Sequence, residues 1–234
     1  MAGLVPAIHV FVLPGIKDVD ARDPSTPRLR RATNSLGRRS FSEDGKRGHD
    51  DSVKSYPALA LQMASFVALL RAVNVGGTGK LPMTELKAMC AELGFTSVRT
   101  YIASGNVVFA SRKSETAVKA ALEKRLAAYA GKPVGVMVRS AEEMAQVSKD
   151  NPFPTAAPNR TMAIFLDAAP PRDALAAIRG HKDEEIKLGK REIYVHYGEG
   201  MAKSKLVIPA ARSGTARNMN TVAVLAKMAA ELGG

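Results

Sequence analysis

Three observations in the sequence predict an α+β fold. Apolar runs short enough for strands alternate with segments whose apolar residues recur every 3.6 positions, the helical period. In the first half the order is strand, helix, strand, strand, helix, strand. Ser104-Gly105-Asn106, turn-forming chemistry, sits between the two middle strands and makes them an antiparallel hairpin. The second half looks like a partial repeat of the first. A hairpin inside a βαββαβ order argues against a doubly wound parallel sheet. It predicts the split βαβ, ferredoxin-like arrangement, in which two helices cover one face of an antiparallel sheet. Two such subdomains are expected, over 63–150 and 151–234.

Each element has its own signal. Ser65–Leu70 is a continuous apolar run, the pattern of a strand covered on both faces. Residues 71–80 are a glycine-rich loop. Pro82 suits the first turn of a helix in which Met83, Leu86, Met89, Cys90 and Leu93 share one face, and Gly94 is its stop signal. Val98–Ile102 and Val107–Ala110 read as the hairpin strands. A helix from about Glu115 to Tyr129 would bury Val118, Leu122, Leu126 and Tyr129, and Val134–Arg139 alternates as a strand. Ser140 and Glu143 have capping-box spacing at the head of a short helix, Ala141–Ser148. Asn151-Pro152-Phe153-Pro154 ends that helix and marks a boundary. Beyond it, Thr161–Asp167 reads as a strand and Pro171–Ile178 as a helix. Glu185–Leu188 and Glu192–Tyr197 read as strands joined by Gly189-Lys190. After a segment Met201–Leu206, a last helix from about Ala216 to Leu232 would bury Met219, Val222, Leu225, Ala229 and Leu232.

Residues 1–62 do not read as a domain. After the apolar opening the segment is polar, mixed in charge and without period, so it cannot bury enough surface to offset its ordering entropy. Its arginines, Arg28 to Arg47, have the makings of a basic arm. A second reading is preferred. MAGLVPAIHVF, with VDARD and GHDD further on, is similar to a peptide that arises when bacterial intergenic repeats are translated by mistake, and Met63 opens a self-contained domain. Residues 1–62 are then a spurious extension.

Composition narrows the function classes. The single cysteine, Cys90, excludes an intrachain disulfide and a cysteine metal cluster, which fits a cytoplasmic protein. No two of the four histidines have metal-ligand spacing, so no metal is expected. No apolar run is long enough to span a membrane. Of the net charge of +12, residues 63–234 carry +9, from 24 Lys/Arg against 15 Asp/Glu. That excess suggests an anionic partner, a phosphorylated ligand or nucleic acid. Aromatic residues are only 5% with no tryptophan, and no strand carries an aromatic pair for stacking bases in the RRM manner.

Two stretches carry polar and glycine residues beyond what packing requires. The loop around Gly76-Gly77-Thr78-Gly79-Lys80 invites comparison with a phosphate-binding P-loop, G-x-x-x-x-G-K-[ST]. The first glycine position is Asn74 and the residue after Lys80 is Leu81, so the fingerprint fails and the metal-binding hydroxyl is missing. A looser role remains, in which Gly76 and Gly77 let the backbone approach an anion while Arg71 and Lys80 supply charge. The second stretch is Thr215-Ala216-Arg217-Asn218-Met219-Asn220. With Thr215 as N-cap, a helix start there would present free N–H groups beside Arg217, Asn218 and Asn220. Cys90 and His196 read as buried core and strand-face residues. Asp183-Glu184-Glu185 and Glu142-Glu143 read as solvated or capping charges, and Ser104 lacks a neighbouring base.

Residues 63–232 resemble the bacterial DUF1697 proteins, a family of unknown function. The resemblance rests on ALLRAVNVGG (68–77), KLPMTELKAMCAELGF (80–95), VRTYIASGNVVF (98–109), NPF (151–153) and TARNMNTV (215–222). It implies ferredoxin-like α+β subdomains and names no catalytic residue or cofactor. One position departs: the family usually has tryptophan between the two asparagines where this chain has Met219. Residues 1–62 have no counterpart in the family pattern.

The expected function is binding of a phosphorylated or nucleic-acid ligand by Arg71, Asn74, Gly76, Gly77, Lys80, Ser104, Asn106, Thr215, Arg217, Asn218 and Asn220. One alternative is an enzyme of unspecified reaction, with Arg71, Asn74, Ser104, Asn106, Arg217 and Asn218 lining a cleft between the subdomains. The other is a partner-binding module in which these residues are only caps and turns. The two ligand readings require the distant stretches to meet in space.

Overall fold

The computed structural model describes residues 63–74 and 80–233, so the extension expected at 1–62 lies outside the described residues. The strand β1 (Ala64–Leu70) is the centre of the first sheet. It is followed by α1 (Met83–Glu92), the hairpin β2 (Thr96–Tyr101) and β3 (Asn106–Ser111), α2 (Glu115–Ala130), β4 (Val136–Ser140) and α3 (Ala141–Lys149). The sheet order is β2-β3-β1-β4 with every neighbour antiparallel. The second half supplies β5 (Thr161–Phe165), β6 (Glu185–Leu188), β7 (Glu192–His196), β8 (Thr215–Asn218) and α4 (Met219–Gly233). Its sheet, β6-β7-β5-β8, is again antiparallel throughout and repeats the first strand for strand. The protein is thus an α+β fold of two four-stranded antiparallel sheets.

Alternation along the central strands explains how the layers assemble. Phe66, Ala68 and Leu70 of β1 point into a cluster with Leu86, Cys90, Val118 and Leu122 of α1 and α2. Val67 and Leu69 point the other way, into a middle cluster with Met144 of α3, Phe165 of β5, Tyr194 of β7, and Met219, Val222 and Leu225 of α4. This middle cluster joins the inner faces of both sheets. The outer face of the second sheet, Met162, Ile164, Ile193 and Val195, is closed by Ile178, Leu206 and Ile208. Both central strands are therefore apolar on both faces. Met219 is buried in the middle cluster, where its flexible thioether fills a core position.

Helix ends follow local chemistry. Ser140 accepts from the Glu143 amide while the Glu143 carboxylate accepts from the Ser140 amide, completing the expected capping box. Gly94 takes φ +79°, as its stop role requires.

Five expectations are corrected. Residues 171–178 form successive turns instead of a helix, with Ala174 N–H to Pro171 O and Ala176 N–H to Asp173 O. The segment is short, and one side of it rests on the third cluster through Ile178, so no full helical turn is needed to cover the sheet. The last helix begins at Met219, because residues 215–218 pair with β5 as a strand. Ile102 leaves its strand for the turn, at φ +47°. Tyr129 is 43% exposed, and Glu184 is buried, accepting hydrogen bonds from the Lys182 amide and the Ser204 hydroxyl.

Among the described residues, no helix is long and apolar enough to cross a membrane, and no cluster of His, Cys, Asp and Glu is arranged to hold a metal ion.

Cys90 is fully buried, and burial pushes its thiol up to about 12. Alkylation at pH 8 should therefore be limited by opening of the fold and should accelerate in step with denaturant-induced unfolding. Rapid stoichiometric labelling of the native protein would contradict this placement.

Candidate functional site

The end of β1 is the meeting point of the two stretches singled out in the sequence. Arg217, on β8, is 8% exposed and spends all five N–H donors on this junction. Its Nε donates to Asn106 Oδ1 at the head of β3. Its Nη1 donates to Thr215 Oγ1 and Ala216 O, both at 2.8 Å. Its Nη2 donates to Leu70 O and Ser104 O, both at 3.0 Å. Asn106, with 0% exposure, is held in turn by its Nδ2, which donates to Tyr101 O (3.1 Å) and Ser104 Oγ (2.9 Å). Thr215 Oγ1 donates to Leu70 O. Every acceptor around Arg217 is neutral. Burial pulls its guanidinium down to about 10, so it stays charged at pH 7 after a desolvation cost of roughly 3 kcal/mol.

The neighbouring residues extend this junction into a surface. The Asn74 carboxamide bridges the loop ends: Oδ1 accepts from Leu81 N–H (2.8 Å), and Nδ2 donates to Leu81 O (2.9 Å) and Ala103 O (2.7 Å). Arg71 donates from Nη2 to Arg212 O at 2.7 Å. Lys80 is exposed beside Leu81. Gly105, at φ +74°, lies so close that an added Cβ would come within 2.3 Å of Val73 Cγ2. The backbone here is unusual as well. Of four non-glycine residues with positive φ among the described residues, three belong to this pole: Ala72, Asn74 and Ile102. The β-branched Ile102 in this region is an outlier, and such strain concentrates where a site needs it.

The electrostatics of this pole follow from three stretches of sequence. Residues 63–84, 93–114 and 200–230 contain no Asp or Glu, and together they supply every residue named here. Among the described residues, no carboxylate comes within ion-pair distance of Arg71, Lys80, Arg212 or Arg217.

Arg71, Asn74, Lys80, Ser104, Asn106, Thr215 and Arg217 thus come together. Gly76 and Gly77 lie outside the described residues. Asn218 and Asn220 do not join the set. Asn218 Oδ1 accepts from Thr221 N–H and caps α4, the role expected of Thr215, and Asn220 is exposed on the first turn of α4. The expected anion site at a helix start beside Arg217 is therefore replaced by a strand end.

A second polar junction, which sequence reasoning missed, mirrors the first. Arg139 on β4 is 1% exposed; its Nε donates to Glu192 Oε1 (3.1 Å), its Nη1 to Val138 O (2.7 Å), and its Nη2 to Leu166 O (2.7 Å) and Arg191 O (3.0 Å). The registers match. Across β1, Val67 faces Arg139 and Leu69 faces Asn106; across β5, Ala163 faces Arg217 and Phe165 faces Glu192. Each arginine precedes the cap of its own half's helix, Ser140 or Asn218, and reaches the acceptor of the other half. At this second pole Arg191 also pairs with Glu115 (2.7 Å) and Glu143 (2.9 Å). Glu142, Glu143, Asp150 and Glu192 line an open groove of about 270 Å³ there with Lys190 and Arg191. The readable signal was an arginine one residue before a helix cap, occurring twice.

A family model described as "Protein of unknown function (DUF1697)" matches residues 63–194, more than half of the chain. No curated protein matches. Among solved structures the chain is similar to the conserved bacterial protein SP0830 from Streptococcus pneumoniae. The identity is 26% and the TM-score 0.61, over 71% of this chain and 99% of that one.

Arg139 and Glu192 are a buried pair whose partners leave together or not at all. Arg139→Met alone should cost about 3–5 kcal/mol by stranding the Glu192 carboxylate. The double change Arg139→Met with Glu192→Leu should recover most of that loss in urea unfolding. Equal losses in the single and double variants would refute coupling between them.

Proposed function

We propose, for a chain that belongs to the DUF1697 family, that the pole at the end of β1 binds an anionic ligand, a phosphorylated small molecule. One observation carries this reading: a buried guanidinium held only by neutral acceptors sits beneath a surface that has Arg71, Arg212 and Lys80, with no carboxylate within ion-pair distance of them among the described residues. A buried cation without a counter-charge projects its field outwards through a low-dielectric medium, so an arriving anion gains more there than at a solvated lysine. The roles divide accordingly. Arg217 has no N–H to spare, so it contributes charge while Asn106, Thr215 and the Ser104 carbonyl hold it in place. Arg71, Lys80 and the Ser104 hydroxyl make the direct contacts. Asn74 ties the chain after β1 to Leu81 and Ala103. The strained backbone at Ala72, Asn74 and Ile102 is in keeping with a preorganised site. We read the halves as two ferredoxin-like units, the second with turns in place of the helices between its strands and with α4 after its last strand, and the protein as cytoplasmic, in keeping with its one buried thiol.

Calorimetric titration of the full chain tests this. Inorganic pyrophosphate and a mononucleotide should bind at low salt, with affinity falling as salt rises. Arg71→Ala combined with Arg212→Ala should weaken binding by about tenfold or more, with little change in Tm because both side chains are at the surface. Tighter binding of single-stranded RNA than of either small anion would move the assignment to nucleic acid. Absence of binding by all three at low salt would leave the pole as a structural joint only.

A further inference from the structure

The two poles are built on the same plan yet differ in charge, and the difference falls on one pair of corresponding positions. Glu192 and Asn106 both stand at the head of the strand that pairs with the central strand of their sheet. Each accepts from the Nε of the arginine sent by the opposite half. Each arginine sends Nη1 to the carbonyl of the residue before it and Nη2 to the carbonyl at or just beyond the end of the central strand, Leu166 or Leu70. The hydrogen-bonding geometry is shared, and the acceptor is a carboxylate in one case and a carboxamide in the other. At the second pole the guanidinium is therefore neutralised where it is buried, and further carboxylates surround it. At the first pole the corresponding guanidinium, Arg217, has only neutral acceptors.

We propose that Asn106 is the residue that makes this pole selective for anions, by holding Arg217 in place without neutralising it. This rests on the ligand-binding reading above and deepens it. Asn106 is a positioning residue: it is fully buried and acts through Arg217. A carboxylate at this position would satisfy Nε equally well and cancel the field that an anion approaching Arg71 and Ser104 would feel. The neutrality of the amide, in a place where the sister position carries a charge, is what the site requires.

Two substitutions separate charge from packing. Asn106→Asp changes one atom and supplies the missing counter-charge. Pyrophosphate affinity should fall by about tenfold or more at an effective dielectric of 20, and Tm should fall as well, because the carboxylate loses the Nδ2 donations to Tyr101 O and Ser104 Oγ. Asn106→Ser removes the same two donations and stays neutral, so Tm should fall comparably while affinity falls clearly less than in Asn106→Asp, because no counter-charge is added. A merely structural residue would lose Tm and affinity together in both variants. Wild-type affinity in Asn106→Asp would overturn the proposal, and so would an equal loss of affinity in the two variants, because the added charge would then count for nothing. Failure of the unchanged chain to bind pyrophosphate would instead remove the ligand-binding reading itself, and this proposal with it.

Discussion

The seam between the two halves depends on a reciprocal exchange of buried arginines. Most of the interface is apolar, and apolar packing between sheets and helices is tolerant of small shifts in register. Guanidinium groups are not tolerant. Each presents five donors in a fixed fork, and inside a core each donor must meet an acceptor. Arg217 finds Leu70 O, Ser104 O and Asn106 Oδ1 in the first half, and Arg139 finds Leu166 O, Arg191 O and Glu192 Oε1 in the second. A slip of one residue in either central strand would strand donors at both ends. The polar contacts thus specify the alignment that the apolar cluster around Phe165, Tyr194 and Leu225 stabilises.

The two ends differ in how they bear this constraint. Around Arg139 the carboxylates of Glu115, Glu143 and Glu192 meet Arg191 and Arg139 in a closed set of pairs, which suits a joint. Around Arg217 the set is open: neutral acceptors below, surface cations without an ion-pair partner among the described residues, and left-handed backbone at Ala72, Asn74 and Ile102. Strain and uncompensated charge both lower stability and are retained only if the rest of the fold over-determines them. The close packing of Gly105 against Leu70 and Val73, together with the Asn74 bridge, supplies that support.

Much of the fold was legible because its strong signals are local. The apolar run of β1, the capping box at Ser140 and the Gly94 stop each act within a few residues. The failures have physical causes too. Residues 171–178 had a helical composition, but the sheet needed only apolar side chains laid over it. Thr215 looked like a cap, yet pairing with β5 extended the strand and passed the cap to Asn218. Part of the polar cluster was legible in the sequence, and its geometry was misread, since Asn218 and Asn220 stay apart from it. Arg71, Asn74, Ser104, Asn106 and Arg217 were picked out as polar residues without a packing reason, and they converge. That Arg217 spends its donors inside the protein depends on contacts more than 100 positions away, such as that with Asn106, which no local pattern encodes. Arg139 and Glu192 were missed for the same reason.

The correspondence between the halves bears on how such an asymmetric pair of ends arises. Two separate copies of one such half, joined by a twofold axis, would form both arginine contacts at once, with the same acceptor at each. Any change at that acceptor would appear at both ends, so a neutral end and a charged end could not coexist. Covalent linkage in a single polypeptide lifts that symmetry. One end is then at liberty to settle into a pure fastener while the other departs from electrical balance, and the fastened end keeps the assembly together while the other does so.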